Sequence, residues 1–248
     1  MNRLVPFLSR YWAVLLLVVV WHAWVTLGDL NSIVLPAPLP VLADVVTHPA
    51  LYLTNAAQTM ATALAGVAIG VLLGAFVAIL AWASRLLAGL LTPLGLIFSS
   101  VPIVALIPIL ARVLGYDIST VVAIVAVSAF FPTFVFTGAG LRDLPRATDD
   151  LFKVLGATPW GRLRHLVLPA TVPNVMISLR LTVPEGVLAA ILAEFLMGRS
   201  GLGFMFREAA SRFAMERALG TSLVVTLAAV LFFTLAHRAE RAVKARWS

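Results

Sequence analysis

Residues 60–82 read MATALAGVAIGVLLGAFVAILAW, without one charged side chain. A helix needs about 20 apolar residues to cross roughly 30 Å of hydrocarbon, and this stretch is long enough. Working outward, further apolar runs lie near Tyr11–Leu27, Leu86–Leu110, Ser119–Leu141, Ala170–Met197 and Leu219–Ala236. The pattern predicts an all-α, polytopic membrane protein of about six transmembrane helices. Composition agrees. Of 248 residues, 61% are hydrophobic and 12% charged, with a mean hydropathy of +1.03. A soluble domain of this size could not shield so much apolar surface from water.

The formal net charge is +7. Basic chains often bind nucleic acid, but here the basic residues stand at the ends of apolar runs, where membrane topology places them. With the N-terminus in the cytoplasm, the inside holds Arg3, Arg10, Arg85, Arg142, Arg146, Lys153, Arg162, Arg164, Arg238, Arg241, Lys244 and Arg246. The outside holds Arg112, Arg199, Arg207, Arg212 and Arg217. This bias predicts both termini on the cytoplasmic side of a multi-pass protein. Residues 1–27 resemble a secretory signal but show no small-x-small cleavage site, so they read as a retained span. The chain divides into an N-terminal span and outer linker (1–55), a core (56–240) and a tail (241–248). The linker carries Leu35-Pro36-Ala37-Pro38-Leu39-Pro40, an extended, helix-breaking stretch.

The most informative segment is the inner loop from Arg142 to Pro169. It parses into two short helices. Thr148 suits the N-cap of the first, and Asp149 and Asp150 favour its dipole. Gly156 suits the left-handed position past its end. Thr158 then caps a second helix with Pro159 at its first position, and Pro169 ends that helix. The first helix carries Leu151, Phe152, Val154 and Leu155. Two amphipathic turns are barely stable alone, so this apolar side needs a partner's groove or a membrane surface to lie on.

Here the chain resembles a known family. Gly156, Leu166, Leu168 and Pro169 match the spacing of the EAA loop found in permease subunits of binding-protein-dependent ABC importers. Asp150-Leu151-Phe152 stand where Glu-Ala-Ala is usual, keeping the acid. Leu35-Pro36-Ala37-Pro38, the proline-rich segment from Val101-Pro102 to Pro108 with Leu114-Gly115, Ala193-Glu194-Phe195-Leu196 and Ser200-Gly201-Leu202-Gly203 extend the resemblance. The likeness is greatest to importers of the nitrate, sulfonate, taurine and bicarbonate type. It implies a cytoplasmic ATPase dimer, carrying ATP and Mg, that grips Asp150, Leu151, Phe152, Leu155, Gly156, Ala157 and Pro159. It also implies a periplasmic binding protein, a second permease copy, and a place in the bacterial inner membrane. No cofactor is expected in this chain.

Other chemistry finds little support. Neither Lys153 nor Lys244 lies in a phosphate-cradling G-x-x-x-x-G-K-[ST] loop, so ATP hydrolysis needs a separate chain. Gly198-Arg199-Ser200-Gly201 matches the G-x-S-G of intramembrane proteases. A nucleophilic dyad needs contact at about 3 Å, yet Ser200 and His237 are expected at opposite faces. His22, His48, His165 and His237 are scattered, and cysteine is absent, so no metal centre is expected. An ion-coupled carrier is the better alternative, because Arg180, Glu185 and Glu194 lie within one span. On the importer reading Ser99, Ser100, Pro102, Glu185 and Glu194 line the translocation path. Gly201, Gly203, Phe204, Met205 and Phe206 form an outer gate or a re-entrant loop. Gly66, Gly70 and Gly74 make a smooth stripe for close helix packing, inside the subunit or between copies.

Overall fold

The computed structural model describes residues 4–144 and 146–247, and no strand occurs among them. Among the described residues, four helical rods are long and apolar enough to cross a membrane: Pro49–Ala83, Ile118–Arg142, Pro159–Met197 and Met215–Arg246. In chain order α1 (Leu4–Leu27) holds the first apolar run, α2 is Pro38–Thr47 and α3 is Pro49–Ala83. α1 exposes Trp12, Leu17, Val19 and Trp24, as a lipid-facing helix should. α3 begins well before the expected Met60 and runs unbroken through position 55, where composition suggests a boundary. Pro49 at its first turn explains the early start.

The span expected at Leu86–Leu110 is two helices, α4 (Arg85–Ser99) and α5 (Ile103–Leu114). At 15 and 12 residues, neither alone crosses the roughly 30 Å hydrocarbon layer at about 1.5 Å per residue. Pro102 makes the break. It stands at the N-cap of α5 with extended ψ of 124°, and it biases Val101 away from helix. Pro93 and Pro108 are absorbed inside α4 and α5.

The core is α3, α6 (Ile118–Arg142) and α9 (Leu168–Met197). A Cβ at Gly66 would meet Val125, one at Gly70 would press on Ala126 and Ala129, and one at Gly74 would meet Phe130 and Thr133. The glycine stripe thus seats α3 against α6 within the chain, and the rising register makes the two helices parallel. α9 returns antiparallel, with Gly186 against Val67. Ala63, Val67, Ile124, Val125, Val187 and Ala190 fill one half of this core, while Ala78, Phe134, Leu141, Leu163 and Val167 fill the other.

α7 (Arg146–Val154) and α8 (Pro159–Arg162) form the loop at the end where α3 and α6 finish. Thr148 lies inside α7 rather than capping it. Pro169 does not end the second loop helix. A π-helical turn at Leu163–Val167 carries α8 straight into α9, the Leu168 N–H reaching back to the Leu163 carbonyl. The wider turn accommodates a ring that would otherwise press on the carbonyl four residues earlier. α10 (Leu202–Ser211) and α11 (Met215–Trp247) complete the chain. Near the start of α11, Arg217 reaches the Asp44 carboxylate at 2.9 Å, and Tyr52 donates to it at 2.6 Å, tying α2, α3 and α11 together.

Candidate functional site

The loop end is built as its local chemistry demands. Gly156 has φ of +70°, and Ala157 N–H donates to the Phe152 carbonyl at 3.0 Å, the bond that closes a left-handed helix end. Thr158 Oγ1 accepts the Gly161 N–H at 3.1 Å, with Pro159 at the first helical position. α7 then leaves its apolar side bare. Leu151 is exposed, as are Val154 at 84% and Leu155 at 73%, while Phe152 and Ala157 are half-buried. Asp150, Gly156 and Pro159 are exposed beside them. Arg162 stacks over Trp82 at 5.7 Å and fixes the loop to the end of α3.

The opposite end is closed by its own side chains. Glu194 is 2% exposed, and its Oε2 accepts from Thr59 Oγ1 at 2.8 Å and from the Gly203 N–H at 3.0 Å. The same Thr59 hydroxyl accepts the Leu202 N–H at 2.8 Å. Asn55 Oδ1 accepts the Gly201 N–H at 3.0 Å, and Gln58 donates to Ser200 Oγ at 2.6 Å. Arg207 donates to the Phe195 and Gly198 carbonyls at 2.9 and 2.8 Å, satisfying the end of α9. Gly201 has φ of +92°, and the space a Cβ would need there is filled by the Glu194 carboxyl. Gly201, Gly203 and Met205 are buried, and Phe204 and Phe206 partly so. The expected hinge is therefore pinned in this structure. Glu194 sits beneath the turn, at the edge of a cavity of about 170 Å³ lined also by Gln58, Asp117, Val121 and Arg199, and not on an open face of the chain.

Between the two ends, Glu185 is exposed on α9 and accepts one long hydrogen bond from Ser128 Oγ at 3.4 Å. Leaving a carboxylate in lipid costs about 2.5–3.5 kcal/mol on insertion scales, so this face must meet water or protein. The α4–α5 break lies at the same depth. α4 abuts the Phe134 ring through Gly95, and α5 packs through Ile103 and Ile107 beside Val121 and Ile124, with Ser128 between these levels on α6. Ser100 and Pro102 are exposed there, and the Ser99 side chain lies outside the described residues. Arg180 does not pair with Glu185. It reaches Glu240 of α11 at 3.0 Å, where Lys244 also arrives at 2.8 Å. Ser200 and His237 belong to different networks, the one bonded to Gln58 and the other beside Glu240 at 3.6 Å.

Sequence reasoning missed the tethers. Asn55, Gln58 and Thr59 are spaced to share one helical face just before an apolar run, a signal that such a face meets polar structure. Glu240, an acid amid Arg238, Arg241 and Lys244, signals a buried ion pair.

A parallel-and-antiparallel helical core, a bare amphipathic loop at one end and a polar-latched turn at the other define a membrane permease that works with a partner chain. The chain belongs to the family of binding-protein-dependent transport system inner membrane components, which it matches over residues 70–248. It is similar to the formylaminopyrimidine transport permease ThiX of Halalkalibacterium halodurans, with 27% identity over 91% of this chain and 90% of that one. The riboflavin transport system permease RibX of Chloroflexus aurantiacus is 26% identical, covering 98% of this chain and 91% of that protein. The putative aliphatic sulfonates permease SsuC of Bacillus subtilis is 27% identical, covering 78% and 71%. In fold it resembles the inward-facing MetNI methionine ABC transporter, with a TM-score of 0.69 and 19% identity over 78% of this chain and 96% of that one. The protein is thus a multi-pass permease subunit of a binding-protein-dependent ABC importer, and ATP hydrolysis resides on a separate ATPase subunit. An ATPase and a binding protein are its partners. The ion-coupled carrier reading falls with that assignment.

Proposed function

We propose that this chain lies in the bacterial inner membrane with both termini cytoplasmic and pairs with a second copy to enclose a path for a small solute. On this reading an ATPase dimer carrying ATP and Mg grips α7 and the Gly156 turn of each copy, through Asp150, Leu151, Phe152, Leu155, Ala157 and Pro159. A periplasmic binding protein delivers solute at the α2–α10 end. Ser100, Pro102 and Glu185 line the path at mid-depth, where broken helices are tolerated because protein or cavity water satisfies the freed backbone. Glu194 latches the Gly201–Phe206 gate rather than touching solute.

One observation carries the reading: the bare apolar side of α7, with Leu151, Val154 and Leu155 all exposed at the loop end. An ATPase groove would cover it. The test is co-purification from the native membrane. The wild-type chain should bring down a stoichiometric ATPase, and the Leu151→Asp/Leu155→Asp variant should lose at least about nine-tenths of it, since buried charges in an interface core cost several kcal/mol. Undiminished recovery with that variant would remove α7 from the interface.

A further inference from the structure

We infer that the transported solute is a cation or a neutral, amine-bearing molecule rich in N–H donors, and not an anion of the sulfonate kind. The inference rests on the reading that Glu185 faces the path, and it deepens that reading. Glu185 stands near the middle of α9, on an exposed stripe with Leu181, 41% exposed, and Leu188, 57% exposed. Its one hydrogen bond comes from Ser128 at 3.4 Å, and among the described residues no cation pairs with it. The nearby basic group on its own helix, Arg180, is committed to Glu240 at 3.0 Å.

A second copy related by a two-fold axis would bring a second Glu185 to the same depth. Two carboxylates facing a water-lined path would set a negative potential that raises the local concentration of cations and disfavours anions. A sulfonate crossing that level would meet like charge with no neutralising group. An amine or ring N–H would instead donate to the carboxylates.

The sequence contains no cysteine, so one introduced thiol is unique on this chain. Leu181→Cys and Leu188→Cys are made separately, and each permease is reconstituted with its ATPase. Each is treated with trimethylammonioethyl methanethiosulfonate, a cation, or sulfonatoethyl methanethiosulfonate, an anion, and modification is followed by the mass of the permease chain. The cation-to-anion rate ratio should exceed that measured in the Glu185→Gln background by about tenfold or more, as one close charge in a partly wet channel predicts. Equal ratios in the two backgrounds, with both thiols reacting, would overturn the solute class and leave the path reading standing. Failure of both thiols to react, with and without ATP, would show that this face is dry and would overturn both.

Discussion

Two glycines with positive φ sit in turns at opposite ends of this bundle, and their surroundings differ completely. Gly201, at +92°, has its missing Cβ replaced by the Glu194 carboxyl, while Gly156, at +70°, would offer a Cβ nothing within 4 Å. The first turn is completed by its own chain through Thr59, Asn55, Gln58 and Arg207. The second is geometrically finished but uncovered, with Val154 and Leu155 standing in the open. One end is closed by its own side chains, and the other leaves apolar side chains uncovered. The polar side chains are spent unevenly, completing one turn and leaving the other for the ATPase contact proposed above.

The sharpest way to break this contrast is Glu194→Ala. It strands the Thr59 hydroxyl and the Gly203 N–H, each worth about 1–3 kcal/mol when buried and unpaired. Thermal unfolding in detergent should show a loss of about 3 kcal/mol or more, and an unchanged Tm would mean the latch is ornamental. Next comes the glycine pair itself. Alanine at 156 should cost about 1–2 kcal/mol, the left-handed penalty alone. Alanine at 201 should cost distinctly more, because the same strain is joined by collision with Glu194. Equal losses would erase the difference between the two ends.

A smaller effect is expected at Asp44. Burial alone would push its carboxyl up, but hydrogen bonds from Arg217 and Tyr52 and the charges of Arg217 and His48 outweigh that and hold it below the usual carboxylate range. A group depressed in the folded state stabilises above its unfolded value and loses that contribution as pH falls through the folded one. Asp44→Asn should therefore cost about 1 kcal/mol at neutral pH, and the gap to wild type should close only in acid below the ordinary carboxylate range. A gap that widens on acidification would reverse the assignment. The smallest effect on stability belongs to Leu155→Asp, within about 0.5 kcal/mol for an exposed site, measured on the purified chain. A large loss there would show that α7 is held by its own subunit.

Much of this architecture could be read from local chemistry. The apolar runs, the Thr158 cap, the left-handed Gly156 and the small-residue stripe of α3 all act over one or two helical turns, and their residues announce themselves. What escaped was long-range. No local signal connects Thr59 with Glu194 and Leu202, and Arg180 finds Glu240 only after the chain has crossed and returned. Proline gave mixed information for a physical reason. Pro93, Pro108, Pro173 and Pro184 remain inside helices, where neighbouring structure satisfies the freed carbonyls. Pro102 splits one, and Pro169 is accommodated by a widened turn. Of the two acids within the α9 span, Glu185 at mid-depth was legible because a carboxylate in an apolar run needs an explanation. Glu194 looked identical by that criterion and proved to hold the chain to itself.

The unbroken run from Pro159 to Met197 joins the loop end to the latched end in one piece of 39 residues, close to 58 Å at about 1.5 Å rise per residue. On the proposed importer reading, a run that tilted as one piece would act as a see-saw. Tilted about a fulcrum near its middle, it swings its two tips in opposite senses, so widening on one side of the bilayer goes with narrowing on the other. On the proposed reading, Glu185 lies nearer that midpoint than either tip and would move less than both, so its carboxylate would present itself alike to a solute from either side.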